Sequence, residues 1–284
     1  MSAIKTMMKV GRIHYINAIP FFHRLEAAVE EGIEYYQNYP TKINLAMRHR
    51  QIQIAPISSL EYLNYQDQYY LLPDLAIGAR DFSSSVLFFS HEKIEGLAGQ
   101  KIALSRESLS SSILLKILLQ FKYKFKNRFV LNSLDPAQML EKHKAGLVIG
   151  DRALLYRPRA FIYKYDLSEL WWNWTEKPFC FAVWAVQKKY ADQNPAEVAS
   201  FYRALIQNRD RNLMDIEGLI KETLDMNFLD ANFSKIFGYL FNLNYGLDPA
   251  MLEGLQLYYR LAHRLGVSPK AKRIQFFDIK KAAC

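Results

Sequence analysis

The residues best suited to chemistry in this chain are three serines at the start of a predicted helix. Ser108, Ser110 and Ser111 lie in the segment Ser105-Arg-Glu-Ser-Leu-Ser-Ser-Ser112, which follows a predicted strand and opens an apolar run. The first backbone N–H groups of a helix have no partner within the helix, and their dipoles favour a carboxylate or a phosphate. The pattern therefore predicts either an anion site or a simple N-terminal cap, which needs one hydroxyl.

Two further polar side chains stand where predicted strands end. Asn17 follows a strand predicted over Lys9–Tyr15 and precedes Pro20, a residue that suits the first turn of a helix. Asp151 follows a strand predicted over Gly146–Gly150. Ligands of α/β proteins bind beyond the carboxyl ends of strands. Each of these side chains is therefore a candidate for ligand contact, and each is also a candidate for capping the next helix.

The elements that must position these residues alternate along the chain, as in an α/β fold with crossover helices. Strands are predicted over Lys9–Tyr15, Ile33–Tyr39, Ile52–Ile57, Tyr69–Ile77, Ser85–Ser90, Lys101–Ser105, Phe129–Asn132, Gly146–Gly150 and Phe179–Gln187. Helices are predicted over Pro20–Glu31, Lys42–Arg50, Ser58–Tyr65, Ser111–Phe121 and Pro136–Lys144, and long helices from Pro195 onward. We expect two α/β lobes around a cleft, followed by a helical C-terminal segment. Residues 1–92 and 190–284 are predicted to form lobe 1, and residues 93–189 lobe 2.

The composition indicates a folded protein of the cytoplasm. Of 284 residues, 50% are hydrophobic, and 12 Gly and 10 Pro are too few for a collagen-like or low-complexity chain. The two cysteines, Cys180 and Cys284, are too few for a disulfide framework or a Cys-rich zinc site. No signal peptide and no apolar run of about 20 residues is present, so we expect no membrane insertion.

Several chemistries lack their motifs. The chain has no P-loop, no G-x-G-x-x-G, no H-E-x-x-H and no G-x-S-x-G, and its six histidines include no pair spaced by four residues. Metal binding is therefore not expected. The excess of 37 Lys+Arg over 28 Asp+Glu falls in separated groups without a nucleic-acid-binding motif, which favours a solvated basic surface over nucleic-acid binding.

Seven segments together resemble the chorismate dehydratase family, which catalyses the first step of the futalosine route to menaquinone. They stand in the order of that family: Val10–Pro20, Ala55–Ser59, Ser85–Ser90, Ser108–Ser111, Gly150–Leu154, Tyr165–Leu167 and Pro178–Trp184. The resemblance runs from about residue 9 to residue 190, with a weaker helical match over Met251–Tyr259. It implies a periplasmic-binding-protein type 2-like fold that is used for catalysis.

The resemblance also implies the reaction and the site. A hydro-lyase of this family removes water from chorismate, a dicarboxylate, to give 3-[(1-carboxyvinyl)oxy]benzoate without a cofactor. Asn17 matches the active-site asparagine of the family and is expected to orient the substrate near the departing hydroxyl. The residues expected to bind substrate are Tyr15, Ser58, Ser85, Ser108, Ser110, Ser111 and Asp151. Among them, Ser85, Ser108, Ser110 and Ser111 would hold the carboxylates. The oligomeric state is left open.

Four positions depart from the family pattern. Asp81-Phe82 stands where Gly-Pro is usual, Ser168 replaces a glycine, and Glu176-Lys177 interrupts Thr-Gly-x-Pro. His14 replaces a common acid. Because glycine is used where the backbone turns sharply or approaches a ligand, we expect an altered rim of the cleft.

Three other functions stay open at this point. The first is a non-catalytic cytoplasmic binding protein of the same fold for a small carboxylate ligand. The second is the sister enzyme that makes dihydroxynaphthoate later in the same pathway, although its histidine has no match here. Nucleic-acid binding is the third.

Overall fold

The computed structural model describes residues 7–25, 32–133, 135–158 and 162–280, and the chain forms two compact units. Unit 1 comprises Met1–Ala76, Ala182–Phe241 and Lys272–Cys284, and unit 2 comprises Ile77–Phe181 and Asn242–Ala271. The limits of the two lobes predicted from the sequence remain a prediction, separate from this division into units.

The strands are β1 Met8–Ile13, β2 Ile33–Asn38, β3 Ile54–Ser58, β4 Tyr69–Ala79, β5 Val86–Ser90, β6 Lys101–Ser105, β7 Arg128–Asn132, β8 Ala145–Ile149, β9 Tyr163–Asp166, β10 Phe179–Gln187 and β11 Leu243–Asn244. The helices are α1 Ile19–Phe22, α2 Pro40–Arg48, α3 Ser59–Asn64, α4 Leu109–Ile117, α5 Pro136–Lys142, α6 Gly150–Leu155, α7 Leu167–Thr175, α8 Lys188–Gln193, α9 Pro195–Met214, α10 Ile216–Thr223, α11 Met226–Asn242 and α12 Pro249–Arg264. The long helices expected after Pro195 are present.

The six-stranded sheet that holds the strands of unit 1 has the order β11-β4-β10-β3-β1-β2. Strand β1 pairs in parallel with both β2 and β3, and β10 pairs antiparallel with β3. Ile13 at the end of β1 lies opposite Asn38 at the end of β2, so the carboxyl ends of the parallel strands share one edge. The segments after β1 and β3, which contain Asn17 and Ser58, therefore meet at that edge.

The helix predicted over Pro20–Glu31 is shorter than expected in its described part. It is helical over Ile19–Phe22, and residues 26–31 lie outside the described residues. Two asparagines of α9, Asn208 and Asn212, donate side-chain hydrogen bonds of 2.8–2.9 Å to carbonyl oxygens at the end of this helix. These bonds replace the next helical turn, and their donors stand about 190 residues away, so no local pattern signals them.

The sheet of unit 2 has the order β7-β6-β8-β5-β9. Strand β6 is parallel to β7 and β8, whereas β5 is antiparallel to β8 and β9. Val86 at the start of β5 lies opposite Ile149 at the end of β8, and Leu87 lies opposite Asp166 at the end of β9. The carboxyl ends of β6, β8 and β9 and the amino end of β5 therefore share one edge.

The interior of unit 2 joins α7 and α12 through Phe179, the first residue of β10. The ring of Phe179 packs edge-on against Trp171 at 5.6 Å and against Tyr258 at 5.0 Å, and all three side chains are fully buried. The strand predicted over Phe179–Gln187 is confirmed, and its residues are almost all buried.

Glu176 ends α7 in the left-handed conformation, with φ +53° and an exposed side chain. This conformation costs an L-residue roughly 1–2 kcal/mol that glycine avoids. Since glycine also loses more freedom on folding, we expect Glu176→Gly to raise the free energy of unfolding by about 1 kcal/mol. Chemical denaturation measures this change. The control Gln256→Gly, at an exposed position inside α12, should lower the free energy by about 1 kcal/mol, and a loss in both variants would contradict the prediction.

Candidate functional site

The side-chain amide oxygen of Asn17 accepts no hydrogen bond from the rest of the described chain. It lies in a single 3-10 turn over Ile16–Ala18, whose two outer residues are buried in the core of unit 1. The amide oxygen Oδ1 of Asn17 is buried and has no hydrogen-bond partner among the described residues. Neither this turn nor α1 receives a side-chain cap. The capping interpretation of Asn17 is therefore wrong, and its buried amide remains available to a ligand.

Tyr15 and Ser58 stand beside Asn17 in the topology of unit 1, at the ends of β1 and β3. The carbonyl oxygen of Tyr15 accepts from the N–H of Ala18 at 3.0 Å, which closes the 3-10 turn. The Oγ atom of Ser58 caps α3 by accepting from Glu61 N at 3.2 Å. Asn44 of α2 also donates to this Oγ and accepts from Ser58 N, both at 3.1 Å. Sequence reasoning missed Asn44, which fixes Ser58 from a helix 14 residues earlier.

Next to this cap, a buried carboxylate of α3 forms an ion pair with a partly exposed arginine of α2. The side chain of Glu61 is 0% exposed and forms two bonds with Arg48, Nε to Oε1 at 3.1 Å and Nη2 to Oε2 at 2.7 Å. The guanidinium of Arg48 stacks at 4.5 Å over the ring of Tyr65. Burial raises the pKa of Glu61, and the hydrogen bonds from Arg48 oppose that rise. The pair joins the two helices that hold Ser58 and Asn44.

The serine cluster begins α4, as the sequence predicts. Ser108 is the N-cap: its Oγ accepts from Ser111 N at 3.2 Å and lies 2.8 Å from Ser111 Oγ. Ser110 and Ser111 are 1% and 2% exposed. The buried hydroxyl of Tyr258 donates to the carbonyl oxygen of Ser110 at 3.1 Å, which fixes the first turn against α12. The cap is confirmed, and the anion site stays a prediction.

Ser85 and Asp151 meet at the same edge of the sheet of unit 2. The N–H of Gly150 donates to the carbonyl oxygen of Ser85 at 2.8 Å. Gly150 has φ +65°, which an L-residue rarely adopts, so glycine is required where β8 turns into α6. Asp151 is the second residue of α6, whose N-cap is Ile149. Asp151 therefore lies in the first helical turn and is not the cap that sequence reasoning allowed.

Asp166 is a residue of this edge that sequence reasoning did not single out as functional. Its buried carboxylate accepts from the N–H groups of Ser83, Ser84 and Ser168 and from the hydroxyl of Ser83. Burial raises the pKa of Asp166, and the donors around it oppose that rise. The motif Tyr165-Asp-Leu167, one of the segments that resemble the family, was the one signal in the sequence that included Asp166. Its partners Ser83 and Ser84 stand 83 and 82 residues earlier, beyond any local pattern.

The predicted site residues thus form one group in each unit. Tyr15, Asn17 and Ser58 share the edge of the sheet of unit 1 where β1 and β3 end. Ser85, Asp151 and the serines of α4 share the edge of the sheet of unit 2 where β6 and β8 end.

Membrane crossing and metal binding each place a requirement on the described residues. No helix in these ranges has both the length and the apolar character that crossing a membrane requires. Within the same ranges, no three His, Cys, Asp or Glu side chains are grouped as metal ligands would be. Cys180 is a buried thiol in β10, and Cys284 lies outside the described residues.

Three solved structures, each at 18% identity or less, share this fold. A protein from Archaeoglobus fulgidus matches with a TM-score of 0.73 and 18% identity, over 92% of this chain and 98% of that one. The periplasmic aliphatic sulphonate binding protein from Escherichia coli matches with a TM-score of 0.62 and 13% identity, over 96% and 94% of the two chains. The ligand-binding component of an ABC-type import system from Staphylococcus aureus gives 0.68 and 11%, over 98% and 99%. The expected periplasmic-binding-protein-like fold is confirmed.

Sequence comparison identifies the relatives. The chorismate dehydratase of Thermus thermophilus is 28% identical over 272 residues, which cover 88% of this chain and 93% of the relative. A family model described as menaquinone biosynthesis matches residues 8–264, which include every predicted site residue. The chain therefore belongs to the menaquinone biosynthesis family.

Proposed function

We propose that this protein is a chorismate dehydratase, a hydro-lyase that converts chorismate to 3-[(1-carboxyvinyl)oxy]benzoate and water. Membership of the menaquinone biosynthesis family and the relative from Thermus thermophilus support this proposal. The structural observation that carries it is the amide of Asn17. Its buried oxygen has no protein partner among the described residues, at a sheet edge where α/β proteins bind ligands. The proposed location is the cytoplasm, as predicted from the sequence.

The chemistry suits residues that position rather than attack. The bond between the ring and its hydroxyl group breaks, and a proton leaves the neighbouring ring carbon. The electron pair of that carbon–hydrogen bond completes the aromatic ring. The hydroxyl takes up one proton and leaves as water, so the proton acceptor is restored over the whole reaction. Because aromatisation supplies much of the driving force, the protein needs to orient the substrate, assist the departing hydroxyl and leave a proton acceptor in reach.

Within this proposal Asn17 orients the substrate by hydrogen bonds near the departing hydroxyl. An amide is a poor base, so the proton passes to a carboxylate, for which the enolpyruvyl carboxylate of the substrate is our candidate. Tyr15 and Ser58 line the same edge. The hydroxyls of Ser85, Ser108, Ser110 and Ser111 would bind carboxylate oxygens, helped by the N-terminal dipole of α4.

Mixing purified protein with chorismate, and following the products by chromatography and mass spectrometry, tests the activity. We expect conversion to a product lighter by one water, with the absorbance of a substituted benzoate. Binding of chorismate without conversion would instead support a non-catalytic binding protein for a small carboxylate. Neither binding nor conversion would contradict chorismate as the ligand.

A further inference from the structure

We propose that Asp166 is a positioning residue for substrate binding, because its carboxylate fixes the turn that presents Ser85. This inference rests on the proposed function, in which Ser85 binds a carboxylate of the substrate. Asp166 itself is 7% exposed, and its carboxylate is occupied by hydrogen bonds to the protein. Its effect on substrate binding is therefore transmitted through Ser85.

The carboxylate of Asp166 gathers four donors from two segments. Its Oδ2 atom accepts from Ser83 N at 3.0 Å and Ser84 N at 2.6 Å. Its Oδ1 atom accepts from Ser83 Oγ at 2.9 Å and from Ser168 N at 2.8 Å, the latter bond capping α7. Both oxygens are therefore occupied, and one side chain joins the turn before β5 to the start of α7.

The turn held in this way has an unusual backbone. Ser84 has φ +55°, a left-handed conformation that a serine adopts when its surroundings enforce it. The consecutive N–H groups of Ser83 and Ser84 point at one carboxylate oxygen, as in the backbone nests that bind anions. The hydroxyl of Ser83 also accepts from Val86 N at 3.2 Å, which ties the turn to the first residue of β5.

Ser85 is the one residue between these anchors. Its carbonyl oxygen accepts from Gly150 N at 2.8 Å, so its backbone is fixed from both sides. Its side chain is buried, with 4% of the residue exposed. A hydroxyl on a rigid backbone at the ligand edge of the sheet is preorganised to bind a carboxylate oxygen.

An aspartate is required here because the donors need two acceptor oxygens. Asparagine has the same shape but one acceptor, and its NH₂ group would face N–H donors. Asp166→Asn should therefore loosen the turn at Ser83 and Ser84 without changing the side-chain volume packed in the core.

The test compares matched variants in the complete chain by steady-state kinetics with chorismate and by hydrogen exchange of residues 83–86. Asp166→Asn is expected to raise KM about tenfold with little change in kcat. A contact that binds the substrate equally in the ground state and in the transition state changes KM alone when it is lost. Exchange at Ser83 and Ser84 should become faster. Asp248→Asn is the control, because Asp248 caps α12 in the same unit by accepting from Met251 N at 2.7 Å. It should stay within about twofold of the wild type in KM.

A second pair of variants covers the case in which Asp166→Asn does not fold. Ser83→Ala removes one donor to Asp166 and one acceptor for Val86, and should raise KM about threefold. Thr175→Ala removes a hydroxyl that likewise donates once and accepts once, to Trp171 O and from Lys177 N, and should leave KM unchanged. Equal KM values in Ser83→Ala and Thr175→Ala, with an active wild type, would overturn the inference. A wild type that leaves chorismate unconverted overturns the proposed function, and the inference with it.

Discussion

Replacing Asn17 by alanine is expected to lower kcat/KM for chorismate dehydration by about 10²–10³-fold, the loss typical when one hydrogen-bonding group at the reacting centre is removed. The amide of Asn17 is held by a turn whose neighbours Ile16 and Ala18 are buried, so its position does not depend on its own hydrogen bonds. The stability of the protein should therefore change little. Loss of activity with an unchanged unfolding transition is the expected pair of results.

The chain offers a matched control for this variant. Asn64, the last residue of α3 in the same unit, also has a buried Oδ1 atom without a partner among the described residues. Asn64→Ala removes the same chemical group from the far end of a helix that begins at the ligand edge, and it should keep the activity of the wild type. Wild-type turnover in Asn17→Ala, or equal losses in the two variants, would remove Asn17 from the proposed reaction.

The ligand edges could be predicted from the sequence because they follow from local patterns. Strands β6 and β10 have the predicted bounds. Each ligand edge lies where an apolar strand ends and is followed by a polar residue, namely Asn17, Ser108 or Asp151. The rule that ligands bind at the carboxyl ends of strands then links residues far apart in sequence.

The groups that position the site could not be predicted in the same way. Asn44 holds Ser58, Asn208 ends α1, and Asp166 holds the turn before Ser85. Each acts on a partner that tertiary structure brings close, and an asparagine or aspartate in isolation reads as a cap or a surface residue. Local propensity therefore identifies the groups that face a ligand better than the groups that hold them in place.

Replacing Arg48 by methionine is expected to lower the free energy of unfolding by about 3–5 kcal/mol, the usual cost of breaking a buried ion pair on one side. Methionine keeps the hydrophobic stem of the arginine, so the main loss is the pair of hydrogen bonds to Glu61. The carboxylate left behind is 0% exposed, and it loses the guanidinium that neutralises it. Chemical denaturation followed by fluorescence measures the loss.

The double variant Arg48→Met with Glu61→Leu is the control, because it removes both charges and fills the space with apolar groups. It should recover most of the loss and come within about 1–2 kcal/mol of the wild type, as buried ion pairs often do when both partners are replaced. Equal destabilisation in the single and double variants would mean that Arg48 acts through its packing on Tyr65.

The pH dependence of the single variant separates charge from packing. Burial raises the pKa of Glu61, and removing Arg48 removes the group that opposes this rise. A carboxyl whose pKa is higher in the folded than in the unfolded state binds its proton more tightly when folded. Stability is then fully present below the unfolded pKa of about 4.3 and is lost as the pH rises through the folded pKa. Arg48→Met should therefore lose less stability at pH 5 than at pH 8, whereas in the double variant, which lacks the titrating group, residue 61 contributes no pH dependence to stability.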